Sequence, residues 1–320
     1  MPNYRIFLQP RYGRWPHIIN LPKGINMTEA TLEPPSLDNE NKQRILREIK
    51  SELTKVRNYT PKVGVFGDTG VGKSSLCNAL FGKDIAKISD VEACTRKPQE
   101  ILLGNESDGG IILVDVPGVG EDPARHQEYI DLYNSLTPNL DLVIWAIKSD
   151  DRKYMSAINV YKEVLESNLE KCPVVFAITQ ADKIEPYREW DTKNNKPSEK
   201  QHANLNTKIN DISSRFNVST NKIIPISSHD NFNLVALVNK IVEVLPNEKK
   251  YSFTRETKEG NLSEEASKNA EKGIFDHIKE KAGEAWEFVK DDVMDAAKEV
   301  VVEYAPKIAK AAVKWLKLWF

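Results

Sequence analysis

The sequence predicts an α/β fold in which a mixed, mainly parallel sheet is flanked by N-terminal and C-terminal helical segments. Short apolar runs alternate with amphipathic stretches of helix length from Lys62 to Pro246, as expected for buried strands joined by crossover helices. Two of the runs, centred on Leu102 and Leu113, lie too close together for a crossover. They predict a hairpin, which makes the sheet mixed. Helical periodicity without strand signals marks both ends of the chain.

The apolar runs define the strands, and the segments between them define the helices. The predicted strands contain, in order, VGVFG, EILLG, IILVDVPG, LDLVIWAIKS, PVVFAITQ and KIIPIS. The helix patterns include KSSLCNALFG, YMSAINVYKEVLE and LVALVNKIVEVL. Before the sheet, Asp38 can cap a helix that ends before Thr60-Pro61. The predicted segments are a lead-in and helix (1–59), an α/β domain (60–246), a charged linker (247–273) and amphipathic C-terminal helices (274–320).

Composition excludes several classes of protein. The hydrophobic and charged fractions, 40% and 29%, are those of an ordinary globular protein, and the net charge of −2 provides no global field for nucleic acid. The three cysteines, Cys77, Cys94 and Cys172, are too few and too scattered for a disulfide framework or a zinc site. The N-terminus lacks the features of a secretory signal, and no apolar run is long enough to span a bilayer. We therefore predict a cytoplasmic location.

A phosphate-binding loop follows the first strand. The stretch GDTGVGKS, Gly67 to Ser74, fits the pattern G-x-x-x-x-G-K-[ST] between a strand and a helix. In such a loop, backbone N–H groups surround the phosphates and the helix directs its positive end at them. Lys73 reaches the outer phosphates, and the Ser74 hydroxyl ligates Mg²⁺. The predicted nucleotide-binding residues here are Gly67, Asp68, Thr69, Gly70, Val71, Gly72, Lys73, Ser74 and Ser75.

A second motif, DVPGVGED, begins at the end of the third strand. Asp115 is placed to hold Mg²⁺ through a water, and Gly118 to offer its N–H to the γ-phosphate. Thr95 is the only threonine between the phosphate loop and Asp115, so it is predicted to close over the metal as a switch residue. The predicted metal residues are Ser74, Thr95 and Asp115.

The chain resembles the GTPase superfamily at two later strand ends. TQAD, Thr179 to Asp182, stands where the superfamily has Asn-Lys-x-Asp, and ISSH resembles its Ser-Ala-Lys loop. The resemblance implies that the Asp182 carboxylate accepts hydrogen bonds from guanine N1 and N2. Adenine lacks these two donors and would leave the carboxylate unpaired. It also implies that the Thr179 hydroxyl ties its strand to the phosphate loop. Gln180 would lie over the base, and the loop of Ser227 and Ser228 would meet guanine O6 through backbone N–H.

The wider pattern, D-x-P-G followed by a hydrophobic residue, resembles the Era-like branch of the GTPases over roughly residues 60–246. This resemblance implies GTP and GDP as ligands and Mg²⁺ as cofactor. Val119 stands where many GTPases carry a water-orienting Gln, so we expect a low intrinsic rate. Gly70 occupies the place of the Asn that holds potassium in some relatives.

The group that completes the hydrolytic site is open at the sequence level. The predicted catalytic residues are Lys73, Thr95, Gly118 and, in the loop after Gly118, Glu121 with its neighbours Asp122 and Arg125. A charge cluster after a turn is more often simply solvated. A partner protein or a second copy of the chain, as in a homodimer, is at least as good a source of the missing group.

The C-terminal segment 304–320 has two opposite helix faces. Lys307, Lys310, Lys314 and Lys317 fall on one face, and Ile308, Ala312, Trp315 and Trp319 on the other. Such a helix suits a membrane interface, which would place the protein at the inner face of a membrane. Docking on the α/β domain or on a partner protein explains the pattern equally well.

Three functions are compatible with these motifs. The first is a slow GTPase that acts as a nucleotide switch coupled to membrane or protein assembly. The second is a ribosome or RNA assembly GTPase like the Era family proper, which adds an RNA-binding domain with a G-x-x-G loop. Residues 247–320 contain no such loop, so nucleic acid is the less favoured partner. The third is a GTP-binding switch with negligible intrinsic hydrolysis.

Overall fold

Six strands form one sheet in the order β2-β3-β1-β4-β5-β6. The computed structural model describes residues 39–82, 99–105, 109–115, 126–152, 155–166, 169 and 171–293. The strands are β1 (Lys62–Phe66), β2 (Gln99–Asn105), β3 (Gly109–Asp115), β4 (Leu142–Lys148), β5 (Val174–Thr179) and β6 (Ile223–Pro225). β2 and β3 form the predicted antiparallel hairpin, with Leu102 opposite Ile112. All the other pairs are parallel, so the predicted mixed, mainly parallel sheet is confirmed.

Helices precede, connect and follow the strands. They are α1 (Asn39–Asn58), α2 (Lys73–Phe81), α3 (His126–Leu136), α4 (Met155–Val160), α5 (Glu199–Phe216), α6 (Leu234–Val244), α7 (Asn247–Glu256) and α8 (Glu264–Ala282). Residues 286–293 form a further helical segment. The helix predicted after Asp38 is α1, and its buried side chains are Ile49, Leu53 and Val56.

The central strands of the sheet are buried on both faces, because helices cover each face. Every residue of β5 is buried, and so is β4 up to Ile147. On one face, Trp145, Phe176 and Phe216 form an aromatic group with Tyr161. On the other face, the apolar sides of α2 and α6 pack against the strands. Strands that are buried on both faces produce the continuous apolar runs seen in the sequence.

Residues 247–273 are not a linker, and the prediction of a linker there is wrong. The segment contains α7 and the first half of α8. Tyr251, Phe253 and Ala270 are fully buried, and the Ser263 side chain caps α8 by accepting from Ala266 N–H at 3.0 Å. The charged residues that dominate the composition lie between these few buried positions. A high average polarity therefore hid a helical hairpin that requires only a narrow apolar stripe.

The helices at the two ends of the described chain share one apolar cluster. Ile49 and Leu53 of α1 pack with Tyr251 of α7, Ile278 of α8 and Val289 of the 286–293 segment. The predicted amphipathic segment 304–320 lies outside the described residues. Among the helices that the structure describes, none is long and apolar enough to cross a bilayer.

Candidate nucleotide site

The phosphate loop connects β1 to α2 and depends on glycine at two points. Gly67 has φ +138°, and a Cβ at this position would clash with the carbonyl oxygen of Ala146 in β4. Gly72 has φ +90° and precedes the first residue of α2. Both backbone conformations are ones that side chains rarely adopt. The loop therefore turns tightly and delivers the N-terminus of α2, where N–H groups and the helix dipole favour an anion.

Lys73 lies over the loop that it follows. Its ammonium donates to the carbonyl oxygens of Gly67 at 3.0 Å and of Asp68 at 3.1 Å. Thr69 and Gly70 are exposed at the tip of the loop, and Ser74 follows in the first turn of α2. The positive charge and the turned backbone are suited to a polyphosphate group. Ser75 is the next residue of the helix and is exposed.

A buried hydrogen bond joins the phosphate loop to β5. The Thr179 hydroxyl, at the end of this strand, donates to the carbonyl oxygen of Val71 at 2.7 Å. Thr179 is 2% exposed, so the bond is shielded from water. The predicted tie between this threonine and the phosphate loop is confirmed.

The turn after Thr179 is held by neighbouring strand ends. Gln180 is left-handed, with φ +53°, and its carbonyl oxygen accepts from the Ser149 hydroxyl at 2.7 Å. The Ala181 N–H donates to the Ile226 carbonyl at 3.0 Å, which links this turn to the loop after β6. Asp182 is half-buried in the short helix Ala181–Lys183 that follows. The Gln180 side chain accepts from the Lys183 ammonium at 3.1 Å.

Ser227 and Ser228 begin the loop after β6. Ser227 is fully buried. Its N–H and C=O pair with Phe232 at 3.2 and 2.9 Å, and its hydroxyl accepts from the Asp230 N–H at 3.2 Å. These bonds make Ser227 a residue that shapes the loop, whereas the half-buried Ser228 lies beyond the pair. The expected contact of Ser228 N–H with the base stays a prediction.

The parallel strands bring these groups to one edge of the sheet. The carboxyl ends of β1, β4, β5 and β6 carry the phosphate loop, Ser149, Thr179 and Ser227 respectively. Asp115 ends β3 opposite Val65 of β1, so its backbone lies beside the strand that feeds the phosphate loop. Carboxyl ends of parallel strands are the usual ligand edge of an open α/β sheet. Thr95, Gly118, Val119, Glu121, Asp122 and Arg125 lie outside the described residues.

The sequence interpretation missed two supports of this edge. Ser149 follows a buried strand, which is the available signal, but its partner is 31 residues away in sequence. Lys208 of α5 is buried and donates to the Asp151 carbonyl after β4. Burial lowers the pKa of Lys208, against the opposing influence of Asp151. Together these two residues connect the segment after β4 to the turn after β5 and to α5.

Comparison with known proteins places the chain in a family. The model of the 50S ribosome-binding GTPase family matches residues 62–180. The protein YkfA of Escherichia coli K12 is 37% identical over 206 residues, which cover 64% of this chain and 69% of YkfA. GTPase Era of Clostridium botulinum (strain Eklund 17B / Type B) is 27% identical over 191 residues, covering 59% of this chain and 57% of Era.

One solved structure that is similar to this chain is also an Era protein. Era of Aquifex aeolicus, bound to GDP and AlF4⁻, aligns with a TM-score of 0.42 at 20% identity, over 62% of this chain and 66% of that one. The matched family model spans the phosphate loop, β3 and the TQ of TQAD. The chain belongs to the Era-like P-loop GTPases.

Proposed function

We propose that this protein binds GTP and GDP with Mg²⁺ and hydrolyses GTP slowly, as a nucleotide switch coupled to membrane or protein assembly. The observation that carries the proposal is the buried bond from the Thr179 hydroxyl to the Val71 carbonyl. It connects the turn that contains Asp182 to the loop that contains Lys73. A base-reading carboxylate and a phosphate-binding ammonium are thereby held on one rigid frame, as recognition of a nucleotide requires.

The residues have distinct proposed roles. Backbone N–H groups of Gly67–Gly72 and the Lys73 ammonium bind the phosphates, and Asp182 binds the guanine edge. Ser74, Asp115 and Thr95 offer the oxygen donors that Mg²⁺ prefers. When bound, Mg²⁺ neutralises charge on the outer phosphates. Gly118 donates its N–H to the γ-phosphate in the GTP state.

Slow hydrolysis follows from Val119, because its side chain has no polar atom that could orient a water. A partner or a second copy of the chain would then supply the missing group, with Glu121 as the internal alternative. Coupling to assembly rests on the segment 304–320, whose lysine face and tryptophan face suit an anionic membrane or a partner protein. A cytoplasmic protein recruited to the inner face of a membrane fits this arrangement.

The base specificity is tested by Asp182→Asn. A carboxylate pairs with the two N–H donors of guanine, whereas an amide can donate to the carbonyl oxygen that xanthine carries at C2. In calorimetric titrations with Mg²⁺ we expect the wild type to prefer GDP, and the variant to lose GDP affinity and to bind XDP more tightly than the wild type does. Equal binding of GDP and ADP by the wild type would contradict the proposal.

The switch function is tested by single-turnover GTP hydrolysis, with and without vesicles of phosphatidylglycerol and phosphatidylethanolamine. We expect a slow rate in dilute protein and a faster rate with vesicles or at high protein concentration. A chain truncated after Glu303 is the control, since it lacks both helix faces. Vesicles that neither bind the protein nor change its rate would rule out the membrane partner. Binding of GTP without hydrolysis under any condition would favour the switch with negligible hydrolysis.

A further inference from the structure

The loop after β6, residues 227–232, forms one part of the proposed base site. It follows β6, which is only three residues long and pairs with β5 at the edge of the sheet. The pair between Ser227 and Phe232 closes the loop, and Asn231, with φ +53°, is left-handed. We call residues 227–232 the base loop.

A second segment, residues 184–201, lies beside the base loop, and we call it the brace. Asp191 and Lys196 form a two-residue antiparallel pair with bonds of 3.0 and 3.2 Å. The Asp191 carboxylate accepts from the Asn194 N–H at 3.0 Å and from its side-chain amide at 2.7 Å. The fully buried Gln201 donates to the Ile184 carbonyl at 3.0 Å. The brace is therefore tied at its middle and at both ends.

A hydrogen bond and a ring contact connect the brace to the base loop. The Asn195 amide donates to the Asp230 carbonyl at 2.7 Å. The rings of Trp190 and Phe232 meet edge to face, with centroids 5.1 Å apart and an interplanar angle of 88°. Asn195 has φ +50°, and asparagine tolerates this conformation better than most residues. The two contacts hold the base loop at Asp230, in its middle, and at Phe232, at its end.

We propose that the brace sets base specificity, with Asn195 and Trp190 as positioning residues that fix the base loop for recognition of the carbonyl group at guanine C6. This inference rests on the proposed guanine-nucleotide function. The Ser228 N–H can donate to the carbonyl oxygen at guanine C6. Adenine carries an amino group at the same carbon, so two donors would face each other. A fixed loop thus favours guanine over adenine. It contributes nothing to reading the C2 amino group, which is the role of Asp182.

Four variants test the inference. Asn195→Gly removes the amide but keeps the left-handed turn, and Trp190→Ala removes the ring. Trp190→Phe keeps an aromatic partner for Phe232, and Lys193→Ala is the matched control because this side chain is at an exposed position of the brace. Calorimetric affinities for GDP, IDP and ADP are measured for each variant. IDP has the C6 carbonyl of GDP without the C2 amino group, so it separates the two parts of base recognition.

We expect Asn195→Gly and Trp190→Ala to lower the preference for GDP over ADP about 5–10-fold, the effect of one lost hydrogen bond. The GDP-to-IDP ratio stays at the wild-type value, and Trp190→Phe and Lys193→Ala behave as the wild type. An unchanged GDP-to-ADP ratio, or an equal loss of affinity for all three nucleotides, overturns the inference. Asn195→Gly decides alone if Trp190→Ala does not fold. Failure of the wild type to bind GDP removes the proposed function and this inference with it.

Discussion

At the residue scale, Thr179 shows how a short side chain can join two loops. Its hydroxyl is buried and donates to the backbone of the phosphate loop. The GTPase superfamily usually has asparagine at this place in the motif, and the shorter threonine makes the connection here. Because the bond spans the two parts of the proposed site, we expect it to affect both stability and nucleotide binding.

We expect Thr179→Val, which keeps the shape and removes the hydroxyl, to leave the buried Val71 carbonyl without this donor. The free energy of unfolding should fall by about 1–3 kcal/mol, and GDP affinity should fall with it. Denaturant unfolding and calorimetry measure the two effects. Thr179→Ser is the control and should keep most of both. Wild-type behaviour of Thr179→Val would show that the bond contributes little.

Asp141 is a second residue that joins distant elements, at the opposite ends of the strands from the nucleotide edge. Its carboxylate accepts from the Tyr59 hydroxyl at 2.7 Å, the Lys62 N–H at 2.8 Å and the Lys249 ammonium at 2.6 Å. Burial, followed by the hydrogen bond to Asp141, raises the pKa of Tyr59, so the phenol stays a donor. One carboxylate thus links the ends of α1 and β1 to α7.

We expect Asp141→Asn to lower the free energy of unfolding by about 2–3 kcal/mol, because charged hydrogen bonds are lost at a site that is 5% exposed. Asp150→Asn is the matched control. Its pair with Lys148, at 3.1 Å, is largely exposed and should contribute less than about 1 kcal/mol. Equal effects of the two changes in urea unfolding would contradict the argument.

The sequence predicted the site where the chemistry depends on consecutive residues. The phosphate loop is local. The tie from Thr179 spans 108 residues and was predicted only through the resemblance to the superfamily motif. Ser149 and Asn195 were not predicted, because their partners are 31 and 35 residues away. Such bonds depend on which strands are neighbours and on how a loop folds over them. No local pattern carries that information.

At the element scale, α8 contains an unusual buried carboxyl group. Glu271 is 4% exposed, and its Oε1 has no hydrogen-bond partner among the described residues. Burial raises the pKa of Glu271 from 4.5 to about 7, while Lys268 opposes the shift. The first half of the helix was missed at the sequence level because glutamates and lysines dominate residues 264–272. A buried Glu on the helix face that packs inward is invisible to a polarity average.

The raised pKa of Glu271 gives stability a defined pH dependence. Between pH 4.5 and about 7 the folded chain holds a proton that the unfolded chain has lost, so stability falls as pH rises through this window. We expect Glu271→Gln to stabilise the protein by about 1–3 kcal/mol at pH 8, with a much smaller gain at pH 5. Thermal unfolding at both pH values measures this. Glu280→Gln, at an exposed position of the same helix, is the control and should change the stability little. An equal effect of Glu271→Gln at both pH values would contradict the raised pKa.

At the scale of the whole molecule, the terminal helices are part of the body that carries the nucleotide site. Phe253 of α7 meets Phe81 of α2 edge to face, with ring centroids 5.8 Å apart. Between α7 and α8, the Asn261 amide donates to the Ala79 carbonyl at 2.7 Å and the Lys258 N–H to the Leu80 carbonyl at 2.8 Å. Residues 247–262 thus cap the C-terminal end of α2, the helix that follows the phosphate loop.

The same helices close the core around α1. The Ser252 hydroxyl donates to the Val56 carbonyl at 2.9 Å, and Tyr251 packs in the cluster that contains Ile49 and Leu53. Helix α1 therefore depends on α7 and α8, although Val56 and Ser252 are 196 residues apart in sequence. A domain boundary at Pro246 would cut through this core.

A pair of truncations tests this view of the molecule. A chain ending at Pro246 loses the cover of Leu80, Phe81 and Leu53, which are at most 5% exposed. Exposing several large buried side chains costs about 1.5–3 kcal/mol each, which is comparable to the whole stability of a domain. We expect this chain to lack a cooperative thermal transition and to bind GDP poorly. A chain ending at Val293 keeps every described helix and should unfold as the full-length protein does. Circular dichroism melts with and without GDP and Mg²⁺ measure the difference. Equal melting of the two truncated chains would mean that residues 60–246 fold without α7, α8 and the 286–293 segment.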